Sequence, residues 1–298
     1  MDYLKPKPLT KGDTISFIAP AGGVKDKAAV YRAKDFFERN GFNIVFSEHL
    51  FNEYKYMSDT DENRLKDLHN AFSDKNIDAI ICARGGYGTL RLINDIDYDL
   101  IKNNPKIFCG YSDITILSLM FLKKSGLITY SGPMARGDFG LETTYSYTID
   151  NFYKTLYQNE NLEYASEKIY KSGSAEGIIW GGNLASVNSL SGTDFIPDKD
   201  FIFFAEDLNE PVYKIDRMFN QLINIREFKH RIKGMILGDF LDSGYPEQLD
   251  ELFYEISEKL NIPVLGGFKI THEKEKITIP VGANSIIENG KLTIQYIQ

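Results

Sequence analysis

The sequence predicts an α/β protein whose first half forms a parallel β-sheet. Its 298 residues fit two domains of ordinary size. In the first half, short apolar runs alternate with helical patterns, which is typical of right-handed βαβ units. The second half has a different pattern, which indicates an α+β or mixed β domain.

The strands predicted in the first half end in glycine or polar residues. In order, the chain predicts a strand in TISFIAP, a helix around AAVYRAKDFFERNG, a strand in NIVFSE, a helix through ENRLKDLHNAF, and strands in DAIICARGG and KIFCGYSD. Ligands bind at the carboxyl ends of parallel strands. Three of these ends, APAGG, ARGGYG and CGYSD, are therefore candidates for a binding edge.

A polar segment rich in tyrosine and glutamate divides the chain. We expect residues 1–160 to form the first domain, 161–175 to be a linker and 176–298 to form the second domain. After the linker come GIIWGGNLASVNSL, the apolar run FIFFAED, a helix and the strand GMILGDF. The helix carries Ile215, Met218, Phe219 and Leu222 on one face.

Composition and charge exclude several classes of function. The chain has 34 basic and 42 acidic residues, a net charge of -8, whereas nucleic-acid binding requires clustered Lys and Arg. The N-terminus lacks the apolar core of a signal peptide, and no run reaches the about 18 apolar residues of a membrane helix. We therefore expect a cytoplasmic protein with neither a nucleic acid nor a membrane as partner.

The two cysteines and the missing metal motifs argue against bound cofactors. Cys82 and Cys109 lie in apolar, strand-like runs, which predicts buried free thiols rather than a disulfide or a zinc site. The patterns H-E-x-x-H and C-x-x-C are absent. We expect no metal and no other cofactor.

The stretch KIFCGYSDIT, residues 106–115, admits two interpretations. A strand, a tight turn and a helix put Ser112 and Asp113 where a helix N-cap is expected. The same arrangement is that of a nucleophile elbow, which exposes a serine Oγ above the sheet and directs helix N–H groups at an oxyanion. Because Ile114 replaces the last glycine of G-x-S-x-G, spacing alone leaves both open.

A serine nucleophile needs a base, and the chain has four histidines. His69 lies in a polar helix and His230 in a basic run, so we expect both to face solvent. His49 ends a strand without a glycine-rich setting. His272 lies in the polar loop of KITHEKEKITIPVG, which suits a side chain that projects into a cleft.

The base needs a carboxylate to orient it, and the end of FIFFAED offers Glu206 and Asp207. A carboxylate beside a hydrophobic strand must be paired or partly solvated. An N-cap, or a salt bridge to Arg217, is the structural alternative.

The glycines of ARGGYGTLR follow a strand and precede a predicted helix. A phosphate loop is the main alternative, but G-K-[ST] is absent and Leu90 takes the last glycine position of the dinucleotide motif. The backbone N–H groups of Gly85 and Gly86 are instead candidates for an oxyanion hole.

Taken together and in order, five segments resemble the LD-carboxypeptidase family of serine peptidases, which includes murein tetrapeptide carboxypeptidases and microcin-immunity peptidases. They cover nearly the whole chain: ARGGYGTLRLINDIDYDLIKNNPKIFCGYSDIT, TYSGPM, GGNLASVNSLSGTDFIPD, FFAEDLNEPVYKIDRMFNQL, and GGF followed by H and IPVG. The resemblance implies Ser112 as nucleophile, Glu206 as triad carboxylate and His272 as base, with the backbone N–H groups of Gly86 and Asp113 as oxyanion hole.

One residue departs from the family pattern. Thr271 stands where the family often has glycine, although His272 keeps its eight-residue offset to Pro280. The shape of this loop is therefore the part of the resemblance that the sequence supports least.

The resemblance also implies a fold and a reaction. The fold is a Rossmann-like N-terminal domain carrying Ser112 and a smaller β-rich (α+β) C-terminal domain carrying Glu206 and His272, commonly as a homodimer. The reaction is hydrolysis of the bond between an L-centre and a C-terminal D-residue, typically D-alanine on a cell-wall tetrapeptide, as in peptidoglycan recycling. Arg84 and Gly85 are candidates for binding the terminal carboxylate.

Two alternatives remain at this stage. A microcin-type peptidase cleaves a peptidyl-nucleotide, in which case Trp180 is a candidate for stacking on the base, although a tryptophan beside GGN is more typical of packing. A noncatalytic module that holds an anion at helix N-termini through ARGGYG and CGYSD is the alternative from another class.

Overall fold

The computed structural model describes residues 3–157 and 160–295. The chain forms two compact units. Unit one contains Met1–Tyr157 and Thr278–Pro280, and unit two contains Gln158–Ile277 and Val281–Gln298.

Unit one is built from parallel strands joined by helices, which confirms the predicted fold class. Strand β1 pairs in parallel with β2 and β3, β3 with β4, and β4 with β5. The elements are β1 (Thr14–Ile18), α1 (Lys27–Arg39), β2 (Asn43–Phe46), α2 (Asp61–Ser73), β3 (Ala79–Cys82), α3 (Tyr98–Asn103), β4 (Ile107–Cys109), α4 (Ile114–Met120), β5 (Thr129–Ser131) and α5 (Ser146–Tyr157).

Both faces of this sheet are buried. Ile15 and Phe17 of β1 pack in one hydrophobic cluster, whereas Ile18 packs in the other. Successive residues of a strand point to opposite faces, so a sheet covered on both sides needs continuous apolar runs. Cys82 and Cys109 are buried free thiols, as predicted, and burial raises the pKa of each.

Unit two is a mixed sheet with helices, which confirms the predicted β-rich class. Its strand order is β6-β14-β13-β8-β9-β10-β11-β7. Strands β8 to β11 pair in parallel, and the outer strands pair antiparallel. The elements are β6 (Leu162–Ala165), β7 (Lys168–Lys171), β8 (Ala175–Asn183), α6 (Leu184–Ser189), β9 (Phe201–Leu208), α7 (Val212–Ile223), α8 (Arg226–Arg231), β10 (Ile232–Leu241), α9 (Pro246–Leu260), β11 (Val264–Gly266), β13 (Asn284–Glu288) and β14 (Lys291–Ile294).

Two segments differ from the sequence expectation. Residues 161–175, expected to be a linker, contain β6 and β7, which form the two ends of the second sheet. Edge strands are only half covered, so polar composition does not exclude them. Residues Thr278–Pro280, expected in the second domain, belong to unit one because β12 (Ile279–Val281) lies next to β5 at the edge of the first sheet.

None of the helices in the described ranges has the length and apolar content that crossing a bilayer requires.

Candidate active site

Ser112 lies directly after β4 in a strained backbone conformation. Its φ of 63° falls in the left-handed region, which costs a residue other than glycine about 1–2 kcal/mol. Asp113 takes the N-cap position of α4, as the sequence predicted, but no side-chain cap hydrogen bond forms there. Strain of this kind is typical of functional sites, where surrounding contacts maintain it.

The loop that follows β3 is fixed to the turn that holds Ser112. The buried carboxylate of Asp113 accepts a hydrogen bond from the Thr89 backbone N–H at 2.9 Å, and the Thr89 hydroxyl donates to the Asp113 carbonyl at 2.7 Å. Burial raises the pKa of Asp113, although the hydrogen bonds from Thr89 act in the opposite direction. Asp113 is therefore a structural carboxylate at this turn.

Glycine is required at position 85 because the side chain of Ser112 lies against it. A Cβ at Gly85 would lie 2.7 Å from the Ser112 Cβ and 2.9 Å from its Oγ. Gly86 has a φ of 120°, which side chains rarely permit. Neither the Gly86 nor the Asp113 backbone N–H has a hydrogen-bond acceptor among residues 3–157 and 160–295. Both groups remain available as donors beside the serine.

Arg84, a candidate for binding a carboxylate, is largely occupied by the backbone. Its Nε donates to the Gly85 carbonyl and its Nη1 to the Gly23 carbonyl, both at 3.1 Å. Burial, and then the charge of nearby Arg136, lower the pKa of Arg84. Arg84 thus joins two loops, and the second N–H of Nη1 and both N–H groups of Nη2 are left for another partner.

In unit two, Glu206 of β9 is hydrogen-bonded to His272. The Glu206 Oε2 lies 2.9 Å from the His272 Nδ1, and the side chain of Glu206 is 4% exposed. With Nδ1 as donor, the imidazole holds its proton there and presents Nε2 as the basic nitrogen. This is the orientation that a general base requires.

Glu206 also controls the charge of the imidazole. Burial lowers the pKa of His272, but the hydrogen bond and the negative charge of Glu206 raise it, so that the pKa lies above its ordinary value. The smaller effects of Lys276 and Asp207 have opposite signs. His272 therefore becomes neutral at a higher pH than a solvated histidine.

Asp207, the alternative carboxylate, has a different task. It accepts hydrogen bonds from the Asn183 Nδ2 and from the Ala185 backbone N–H at the start of α6, each at 2.9 Å. Burial raises its pKa to about 6. Arg217 lies over the ring of Tyr213, 5.5 Å from the ring centroid, instead of pairing with a carboxylate of β9.

The loop that carries His272 is anchored by contacts that the sequence did not predict. The buried hydroxyl of Thr271 accepts from the Glu273 backbone N–H at 3.0 Å and also hydrogen-bonds to Asp239. The Asp239 backbone N–H donates to the Ile270 carbonyl at 3.0 Å. Thr271, the departure from the family pattern, is thus a structural contact of this loop.

The other histidines have separate environments. His230 is exposed, as predicted. His69 is partly exposed, so the expectation that it faces solvent is met only in part, and its Nε2 accepts from the Asp97 backbone N–H at 3.0 Å. The His49 Nδ1 lies 2.8 Å from the Asp67 Oδ1, a second histidine–carboxylate pair that the sequence did not reveal. In the described ranges, no three His, Cys, Asp or Glu side chains form a potential metal cluster.

Trp180 is a packing residue. It is 0% exposed, and ring centroids of Phe195, Phe201 and Phe203 lie 5.8, 4.8 and 5.8 Å from its own. Because its faces are covered, the structure supports packing rather than stacking on a nucleotide base.

Comparison with known proteins identifies the family. The model of the LD-carboxypeptidase N-terminal domain matches residues 15–132, and that of the C-terminal domain matches residues 176–287. These matches identify the chain as a carboxypeptidase. The chain belongs to the LD-carboxypeptidase family, which argues against a noncatalytic module.

Individual relatives cover nearly the full length of the chain. It is 36% identical to the probable murein peptide carboxypeptidase of Bacillus subtilis, over 97% of this chain and 93% of that protein. It is 31% identical to the microcin C7 self-immunity protein MccF of Escherichia coli, over 97% of this chain and 96% of that protein. The crystal structure of an MccF-like protein from Bacillus anthracis superimposes with a TM-score of 0.92 at 31% identity, covering 99% of this chain and 100% of that one.

Proposed function

We propose that the chain is a serine LD-carboxypeptidase that removes the C-terminal D-alanine from cell-wall tetrapeptides. The observation that carries the proposal is the left-handed backbone of Ser112 at the end of a buried strand, with Gly85 packed against its side chain. Family membership supplies the reaction class, and the B. subtilis relative supports a murein peptide as substrate.

In the proposed mechanism, the Ser112 Oγ attacks the scissile carbonyl while His272 Nε2 takes the hydroxyl proton. Glu206 holds the imidazole through Nδ1 and stabilises its positive charge. The backbone N–H groups of Gly86 and Asp113 donate to the developing oxyanion. Collapse breaks the C–N bond, the imidazolium protonates the leaving amine of D-alanine, and a serine ester of the shortened peptide remains. Water, deprotonated by His272, then hydrolyses the ester.

The alternative is a peptidase of the microcin type that acts on a peptidyl-nucleotide. Its support is the similarity to MccF, for which a structure in complex with aspartyl sulfamoyl adenosine has a TM-score of 0.89 at 28% identity, covering 99% of this chain and 100% of that one. Burial of Trp180 removes the residue that the sequence offered for stacking on a base. We therefore favour the murein peptide. We also propose that the enzyme acts in the cytoplasm, in peptidoglycan recycling. We further propose that it is a homodimer, which sedimentation analysis tests.

A hydrolysis assay tests the proposal. We expect the purified chain to release D-alanine from a tetrapeptide ending in L-Lys-D-Ala or diaminopimelate-D-Ala, as read by mass spectrometry. Ser112→Ala should reduce turnover by roughly 10⁴- to 10⁶-fold without loss of folding. Equal cleavage of a peptide with a terminal L-alanine, or cleavage of a peptidyl-adenylate alone, would contradict it.

A further inference from the structure

The loops that follow β3, β4 and β5 are neighbours at the carboxyl ends of these strands in the first sheet. Strands β3, β4 and β5 are adjacent in the sheet, and they are followed by Arg84, Ser112 and Arg136 respectively. The Arg136 backbone N–H donates to the Ala83 carbonyl at 2.9 Å, which fixes the loop after β5 to the residue before Arg84. The nucleophile thus lies on the middle loop of three, with an arginine on each side.

The charge of Arg136 has no partner among the residues that the structure describes. Its Nε is buried and makes no hydrogen bond, and no carboxylate among the described residues forms an ion pair with it. A buried guanidinium donor without an acceptor costs free energy, since burial removes its hydrogen bonds to water. Such a group in a folded protein requires an explanation, and a ligand that accepts its hydrogen bond provides one.

The second arginine increases this cost. Within residues 3–157 and 160–295, the Arg84 side chain bonds to the carbonyls of Gly85 and Gly23 and to no carboxylate, so its charge is not balanced there either. The two guanidinium groups are close enough for the charge of Arg136 to act on Arg84. Two unbalanced cations side by side, in a chain whose net charge is -8, favour an anionic ligand.

We infer that Arg136 binds the terminal carboxylate of the substrate and is the main determinant of selection for a free C-terminus. Guanidinium groups suit this task because their N–H fork matches the two oxygens of a carboxylate. Arg84 positions the loops and adds positive charge, rather than serving as the principal donor. The inference rests on the proposed carboxypeptidase function, which requires that a free carboxylate be recognised next to the scissile bond.

The test compares a tetrapeptide with its C-terminal amide. In the wild type, kcat/KM should be higher for the free acid. Arg136→Gln should lower kcat/KM for the acid by roughly 10- to 100-fold, the range expected for a lost charged hydrogen bond, and should change the amide little. The ratio of kcat/KM for the acid to that for the amide should therefore fall in this variant. Arg136→Lys should retain part of it, because the charge remains without the fork.

A matched control and a binding assay complete the experiment. Arg39→Gln removes an arginine of unit one that is exposed, and it should keep the full preference. Calorimetry measures binding of the same acid and amide without turnover. It is carried out on the Ser112→Ala variant, with and without Arg136→Gln. Loss of acid preference in binding supports the inference even when the wild type hydrolyses neither peptide, in which case the proposed function alone fails. A folded Arg136→Gln variant with the wild-type preference in both assays overturns the inference.

Discussion

At the scale of single residues, neighbours in sequence take opposite roles. Glu206 and Asp207 are both buried carboxylates at the end of β9, but successive residues of a strand point to opposite faces. One therefore contacts His272 and the other the start of α6. The sequence identified the pair of carboxylates, and only the resemblance to a family selected Glu206. The selection depends on a contact with a residue 66 positions away, which local patterns do not contain.

This contact predicts a pH profile. In the proposed mechanism His272 must be neutral to act as base. Because its pKa is raised, kcat/KM should increase with pH through a pKa above the ordinary histidine value. In Glu206→Gln the charge that raises the pKa is lost while burial still lowers it. The rising limb should therefore move to lower pH, and the plateau should fall by roughly 10³- to 10⁴-fold because the tautomer is no longer fixed.

The control for this measurement is the adjacent carboxylate. Asp207 has a smaller effect on the pKa of His272. Asp207→Asn should shift the rising limb of the pH profile less than Glu206→Gln does. It should also leave the plateau value of kcat/KM closer to that of the wild type. A Glu206→Gln variant with the wild-type limb would show that His272 is not the titrating base.

At the scale of elements, loops at strand ends carry the candidate site, and their contacts were only partly predictable. The sequence located the glycine loop after β3 and the turn after β4, because glycine and polar residues follow apolar runs. It did not identify Arg136, although ARG follows the strand in TYSGPMARG. An isolated arginine carries no periodic signal, and its lack of a partner is visible only in three dimensions. The same holds for Thr271 and Asp239.

The loop of His272 allows a test of positioning. Thr271→Val keeps the shape of the side chain but removes the hydroxyl that bonds to Glu273 and Asp239. Loss of these bonds should lower kcat about tenfold, since a neutral hydrogen bond contributes about 1 kcal/mol and a bond to a carboxylate such as Asp239 about 1.5–3 kcal/mol. It should also speed hydrogen exchange around residue 272. The pKa seen in the rate profile should stay near that of wild type, because Glu206 is retained.

Thr271→Ser restores the hydroxyl and should recover most of the activity and the slow exchange. Equal turnover and exchange in wild type and Thr271→Val would mean that the hydroxyl does not position the loop.

At the scale of the whole molecule, the two units are not two consecutive stretches of the chain. Unit one takes its edge strand from residues near the C-terminus, and the chain then returns to unit two. The Thr155 hydroxyl donates to the Thr278 carbonyl at 3.2 Å, which joins this strand to the end of α5. A division of the sequence at residue 160 therefore misses one strand. Pairing between residues more than a hundred positions apart leaves no trace in composition or periodicity.

Because β12 belongs to the first sheet, a substitution near the C-terminus can destabilise unit one instead of unit two. Ile279 of β12 and Ile287 of β13 are both 0% exposed, eight positions apart, and lie in different units. Each change to alanine should cost about 2–5 kcal/mol of unfolding free energy, because it removes the same buried atoms. Ile279→Ala should speed hydrogen exchange in β4 and β5 of the first sheet. Ile287→Ala should instead speed exchange in β8 and β14, which pair with β13. Mass spectrometry of exchanged peptides distinguishes the two patterns. If both variants sped exchange only in the second sheet, the assignment of β12 to unit one would be wrong.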